Sequence, residues 1–243
     1  MNSSPPTLEA LTEQLTRIAS ARGCDPKQVT LTSVSTASLL LGLDAGYSPM
    51  LAAIANHDDT PGLVAQQWGW WQQSFPFLRG HLEPITGWLN HPGAGQQETL
   101  VKQLQLLSTI DLPQMAEQPA IAGDLLGQVL TLLSAPGDRS ARGAFYTPPS
   151  LAAVIAQMRE TVAPSDRILD ACCGGGGLAV AAVRHLRASG KVPELRQWVL
   201  QDIDPYAVAI AGIAMSIHGI RTVRLTCADS LAIDDRQPAG TTA

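Results

Sequence analysis

The sequence predicts an α/β fold in which a helical N-terminal region precedes a Rossmann-like parallel sheet. Three observations predict it. Residues 167–180 read Arg-Ile-Leu-Asp-Ala-Cys-Cys-Gly-Gly-Gly-Gly-Leu-Ala-Val, a short apolar run closed by Asp170, four glycines and an Ala-rich helical pattern. This is strand, turn and helix in succession. Residues 197–201 (Gln-Trp-Val-Leu-Gln) are β-prone and run into Asp202, so a second strand follows that helix in a βαβ unit. Ahead of these, apolar residues recur mainly at helical spacing.

The elements follow in order. Residues 7–22 carry Leu8, Leu11, Leu15 and Ile18 on one face and end at Gly23, an amphipathic helix. Short helices are expected at 38–43 and 50–55, and a turn at 57–62. Trp68, Trp70, Trp71 and Trp88 lie close together with Phe75 and Phe77. Such a cluster can stack unpaired bases, but only Arg79 is near, so it reads better as a core or a subunit contact. The turn at 90–95 is the expected boundary, dividing the chain into 1–95 and 96–243. Leu100, Leu104, Leu107 and Ile110 predict a helix from 97, stopped at Asp111-Leu112-Pro113, and a second helix covers 122–133. Gly-Ala-Phe-Tyr-Thr-Pro-Pro at 143–149 fixes an extended entry into a helix over 149–158, with apolar Leu151, Val154 and Ile155. On its own that stretch reads equally as a plain helix start capped by Thr147. After Asp202, a helix from 206 to 218 ends at Gly219, and residues 222–226 are a third β-prone run.

The glycine turn is where a ligand would sit. Glycines bring backbone within contact distance of a ligand because they lack Cβ and tolerate positive φ. The free N–H groups and positive dipole end of the following helix favour an anionic group by about 0.3–1 kcal/mol at an exposed site. Asp202, at the end of the second strand, occupies the position that receives ribose hydroxyls in nucleotide-binding sheets. Four consecutive glycines are not the G-x-G-x-x-G spacing, and the acid comes late, so a dehydrogenase is disfavoured. Cys24, Cys172, Cys173 and Cys227 form no C-x-x-C pair and do not cluster with the five histidines, so neither a disulfide framework nor a zinc site is expected. Cys172 and Cys173 read as small buryable residues rather than nucleophiles.

Composition bounds the answer. A chain of 243 residues, 45% hydrophobic, can bury a core of one or two domains. Its formal net charge of −5 argues against gripping duplex DNA unaided, because affinity for phosphates comes from Lys and Arg. Apolar runs stop well short of the roughly 20 residues of a membrane span, and the start has no basic segment before an apolar core. A cytoplasmic location is the expectation.

The residues resemble the cofactor half of an S-adenosylmethionine-dependent N-6 adenine DNA methyltransferase, close to the modification subunit of type I restriction systems. Residues 170–178 look like that family's Asp-Pro-x-Cys-Gly-Ser-Gly-Gly-Phe motif, with Ala171 for the proline, Gly175 for the serine and Leu178 for the phenylalanine. The Phe145-Tyr146-Thr147-Pro148-Pro149 stretch looks like the motif that precedes the glycine strand. Ser108 to Leu112 and Asp124-x-x-Gly127 resemble its helical lead-in. The resemblance implies an incomplete class I methyltransferase sheet with S-adenosylmethionine as cofactor. By it, Asp170, Cys173, Gly174, Gly175 and Gly176 hold the methionine moiety, with Asp170 near its ammonium. Asp202 takes the ribose, Asp229 and Ser230 border the adenine, and Phe145, Tyr146, Thr147 and Pro148 close the other side.

The same family carries its chemistry in an Asn/Asp-Pro-Pro-Tyr/Phe motif that accepts hydrogen bonds from the target amine and stacks on the flipped adenine. No such motif occurs in these 243 residues. Tyr146-Thr147-Pro148-Pro149 lacks an amide or acid in place, and Asp204-Pro205-Tyr206 lacks the second proline. No catalytic residue is therefore assigned. DNA is the expected partner, reached with other subunits such as a specificity subunit or with a complementing fragment. Rival readings are a methyltransferase for another substrate and a non-catalytic interaction or regulatory module that keeps the fold.

Overall fold

A computed structural model describes residues 6–41, 47–134, 147–158, 163 and 165–232. The N-terminal half is helical: α1 (Leu8–Ser20), α2 (Pro26–Leu39), α3 (Tyr47–Ala55), α4 (Thr60–Ser74), α5 (Glu83–Thr86), α6 (Ala94–Leu107), α7 (Leu112–Ala116) and α8 (Leu125–Leu133). Then come α9 (Pro149–Gln157), β1 (Arg167–Asp170), α10 (Gly177–Ala188), β2 (Gln197–Asp202), α11 (Pro205–Ile217) and β3 (Val223–Cys227). The strands form a parallel sheet in the order β1-β2-β3, with Arg167 opposite Gln197 and Trp198 opposite Val223.

Short acidic and hydroxyl side chains start many of the helices. Thr7, Asp25, Asp59, Asp111, Asp124 and Asp204 each accept a backbone N–H from the first turn of α1, α2, α4, α7, α8 and α11. Such caps satisfy orphan donors and are worth about 1 kcal/mol each. The α1 stripe is as expected, with Leu8, Leu11 and Leu15 buried.

The expected short helix at 38–43 is corrected: the helix is α2, which ends at Leu39, and residues 42–43 lie outside the described set. α2 has no apolar stripe because it is buried on every side, from Val29 to Leu39. Four of its hydroxyls are satisfied on its own backbone, whereas Ser35 Oγ is buried without a hydrogen-bond partner among the described residues. Thr32, Ser33, Thr36 and Ser38 each donate to the carbonyl four residues back, at 2.8–3.0 Å. Neighbouring helices also reach them: the Ser33 hydroxyl proton is shared with Gln103 Oε1 (2.7 Å), and Trp68 Nε1 donates to Thr36 Oγ1 (3.1 Å) and Trp88 Nε1 to Thr32 Oγ1 (3.0 Å). Trp68, 1% exposed, thus serves the core and Trp71 and Trp88 pack against it, whereas Trp70 is 61% exposed.

α11 joins the two halves. Residues 207–216 are all buried, and a Cβ on Gly212 would lie 2.6 Å from Leu225 of β3 and 2.9 Å from Leu78 of the helical half. Sheet and helical half therefore meet on α11 at Gly212. Polar ties run alongside: Trp71 Nε1 donates to Ser216 Oγ (2.7 Å), Arg221 to the Ser74 carbonyl (2.7 Å), and Lys27 pairs with Asp204 at 3.4 Å. One hydrophobic core runs from Leu8 to Leu225, and α6 packs on α1, α2 and α3 across residue 95.

β1 and β3 are the two edges of the sheet among the described residues. Leu169 is 65% exposed and its register partner Val199 is half-buried, whereas Leu200, on the opposite face of the sheet, is fully buried. α9 also departs from expectation. It packs on α10 through Ala152 and Ala156, while Leu151 and Val154 face outward. Small residues win that face because they let two helices approach closely.

Candidate cofactor site

The C-terminal ends of the three strands are tied into one polar cluster. Asp202, the last residue of β2, accepts the Gly174 N–H at Oδ2 (2.8 Å) and the Asp204 N–H at Oδ1 (3.0 Å). Cys173 N–H donates to the Gln201 carbonyl (2.8 Å), so the glycine turn is stitched to β2 by backbone and side chain together. From the far side, Ala228 N–H donates to the Asp202 carbonyl (3.0 Å). Gln201 Nε2 reaches Ser230 Oγ (3.2 Å) and the Ala228 carbonyl (3.4 Å), and Ser230 Oγ donates to the Ala171 carbonyl. Asp170 accepts Cys172 N–H (3.3 Å), and Asp229 accepts Leu231 N–H (2.9 Å).

This brings together Asp170, Cys173, Gly174, Asp202, Asp229 and Ser230. Thr147 is not part of this hydrogen-bonded cluster. It lines a cavity of about 490 Å³ between α9, α10 and the turn before α8, with Asp124 and Gly177 in its wall and none of the three strand-end acids. Helix α9 starts without a side-chain cap from Thr147. Pro148 is exposed beside it, and Phe145 and Tyr146 lie outside the described residues.

The glycines differ in what they do. Gly174 has φ +51° and Gly176 φ +89°, conformations that disfavour any side chain. A Cβ on Gly175 would lie 2.6 Å from Gly127 Cα, one on Gly176 3.0 Å from Ala211 Cα, and one on Gly177 2.5 Å from Asp124 Oδ2. The absence of side chains at 175, 176 and 177 thus lets α8 and α11 press on the back of the turn. Any ligand surface of the turn comes from its backbone groups.

Asp170, Asp202, Asp204 and Asp229 make this rim acidic. Burial raises the Asp170 carboxyl above the usual carboxylate range, against the Cys172 N–H bond, and the Asp202 charge adds to the rise. Burial first, then Asp170 and Asp202, push the Cys173 thiol well up, so it stays protonated and unreactive at neutral pH. Cys227 is raised too, by burial and by Asp204 and Asp202. Each Asp202 oxygen holds one N–H and keeps a second lone pair. The donor set suits a ligand that offers hydroxyls and positive charge.

Sequence reasoning passed over two contributors. Gln201 clamps the β3 end, and Asp124 sits buried at the back of the turn. The second was visible as Asp124-x-x-Gly127, whose acid and glycine both touch the glycine run; the first left no signal, because a strand glutamine reads as surface.

The sequence profile of the N-6 DNA Methylase family matches residues 120–241, half of the chain. No curated protein matches. Among solved structures, the methyltransferase subunit of the type I restriction-modification system from Streptococcus thermophilus superposes with a TM-score of 0.52 at 14% identity. The match covers 96% of this chain and 60% of that one, so this chain spans less than two thirds of its relative's length. A modification subunit assigned to a type I restriction enzyme of Vibrio vulnificus YJ016 matches 56% of this chain and 28% of its own, with 20% identity and a TM-score of 0.40. The profile covers the whole strand-end cluster and the lead-in helix behind it, and the chain belongs to the N-6 DNA methylase family.

Proposed function

We propose that this chain supplies the S-adenosylmethionine-binding part of a DNA adenine N-6 methyltransferase. The observation that carries the reading is the carboxylate of Asp202, which holds the glycine turn against the C-terminal end of the sheet and keeps lone pairs for a ligand's hydroxyls. In this reading Asp202 takes the ribose and Asp170 the methionine ammonium. The backbone at Gly174, Gly175 and Gly176 lies along the methionine moiety, with Cys173 packed beneath. Asp229 and Ser230 border the adenine, and Phe145, Tyr146, Thr147 and Pro148 close the opposite side. The acidic rim fits this cofactor, which carries positive charge at its ammonium and its sulfonium. Once bound, the cofactor supplies an electrophilic methyl group for in-line transfer to a weakly nucleophilic aromatic amine. These residues bind and orient it.

The motif that would accept the target amine does not occur in residues 1–243, so in this reading the acceptors come from other residues of the enzyme. A net charge of −5 supports DNA contact shared with other subunits, a specificity subunit among them. A restriction-modification setting in the cytoplasm is the corresponding location.

Calorimetric titration with S-adenosylhomocysteine tests the reading. Asp202→Ala should weaken binding by about 1–3 kcal/mol, the cost of unmade bonds to ribose hydroxyls. Because Asp202 also holds Gly174, a second ligand lacking both ribose hydroxyls separates the two roles. The variant should lose much less affinity for that ligand, the coupling a double-mutant cycle measures. Equal losses for both ligands would refute the ribose assignment, and no binding by the unaltered chain would refute the proposal.

A further inference from the structure

Behind the glycine turn, the start of α8 and the start of α10 meet on one carboxylate. Asp124 is 8% exposed. Its Oδ1 accepts Gly127 N–H at 3.2 Å, capping α8, and Gln128 Nε2 lies 3.5 Å from Oδ2. That same Oδ2 occupies the space beside Gly177, the first residue of α10, where a side chain would otherwise stand. One residue pair along, Gly127 Cα presses on Gly175. The turn is therefore held between Asp202 in front and Asp124 with Gly127 behind. We propose that Asp124 is the positioning residue through which the helical lead-in fixes the glycine turn, its ionised carboxylate bridging the starts of α8 and α10. The effect on cofactor binding rests on the function proposed above.

Charge matters here for two reasons. A carboxylate accepts from several N–H groups at once, whereas its protonated form must find an acceptor for its own proton. Negative charge is also favoured at a helix N-terminus, and two such termini converge on Asp124. Opposing this, burial pushes the Asp124 carboxyl up to about 7, against the bonds from Gln128 and Gly127. The group therefore changes charge near neutral pH. Facing it around the 490 Å³ cavity are Arg184, His185 and Arg187 of α10 and His218 after α11. Glu117 is bound to Arg184 at 2.7–2.9 Å. His218 is held down to about 4 by burial and by Arg187 and Arg184, so it is neutral in this range.

The test compares the unaltered chain with Asp124→Asn and Asp124→Ser. Serine still caps a helix and asparagine keeps the shape, so both should fold while lacking the charge. Amide exchange protection at residues 174–177 should fall in both variants at pH 8 and match the unaltered chain at pH 6, with Gly190 as an unaffected reference. Affinity for S-adenosylhomocysteine should be about fivefold higher in the unaltered chain at pH 8, the low end for coupled sites, and the ratio should vanish at pH 6. Taking the ratio cancels the ligand's own titration. Changed exchange without any ligand binding would keep Asp124 as a positioning residue and refute the cofactor reading instead. Unchanged exchange in both variants, a serine variant equal to the unaltered chain, or a pH dependence that survives Asp124→Asn would overturn the proposal.

Discussion

Gly175 has no room for a side chain, since a Cβ there would sit 2.6 Å from the backbone of Gly127. Helix α8 would have to shift, and overpacking of this kind costs about 1–3 kcal/mol. Gly176 combines a 3.0 Å approach to Ala211 with φ +89°. Gly190 provides the contrast, with φ +70° and nothing within 4 Å, so alanine there meets only the left-handed backbone penalty of about 1–2 kcal/mol. Denaturant midpoints should therefore rank Gly176→Ala as the most damaging of the three; equal losses at 176 and 190 would mean that the turn has slack behind it. The sequence made the glycines conspicuous and pointed to a ligand as the reason for them. Protein backbone on the far side of the turn was not legible, because Gly127 and Ala211 lie 48 and 35 positions away from their partners and carry no local pattern. Asp202 was legible, since its place at a strand end follows from the βαβ order alone.

Elements exposed on one side were readable from their periodicity, and those buried all round were not. α1 shows its stripe, and β2 is announced by its β-prone run. α2 shows no stripe because a helix with every face covered has no polar side to contrast with, and four of its Ser and Thr hydroxyls donate to the backbone four residues back. α11 was found by its cap and its closing glycine rather than by periodicity, for the same reason. The sheet offers a test of which of its faces is covered, since the register puts Leu200 and Leu169 on opposite faces. Leu200 of β2 is fully buried, and Leu200→Ala should cost about 2–5 kcal/mol. Leu169 of β1, 65% exposed, should lose no more than about 0.5 kcal/mol on the same change. A large loss at Leu169, measured by chemical denaturation, would show that another segment covers β1 in solution.

Because one core links the helical half to the sheet through α11, the molecule should unfold as a unit, and its stability should report groups from both halves at once. On the function proposed above, residues 1–243 alone, which contain no Asn/Asp-Pro-Pro-Tyr/Phe motif, should transfer no labelled methyl group to DNA adenine; incorporation of label by the purified chain would refute this. Two buried groups set opposing trends between pH 4 and 7. Asp124 is raised from 3.8 to about 7 by burial, so the native state keeps a proton that the unfolded chain has lost, and stability falls as pH rises through this window. His218 is lowered from 6.5 to about 4, so the unfolded chain takes up a proton that the native state refuses, and stability falls as pH drops from 6.5 toward 4. Each group contributes at most about 1.4 kcal/mol per pH unit, and the two slopes largely cancel. Removing one should uncover the other. In Asp124→Asn stability should climb from pH 4 to 6.5, whereas in His218→Gln it should decline from pH 4 to 7, relative to a flatter curve for the unaltered chain. Urea midpoints across this range measure the slopes directly. A variant curve parallel to that of the unaltered chain would show that the replaced group titrates in the native state as it does in the unfolded one, and that the pocket behind the glycine turn is open to water.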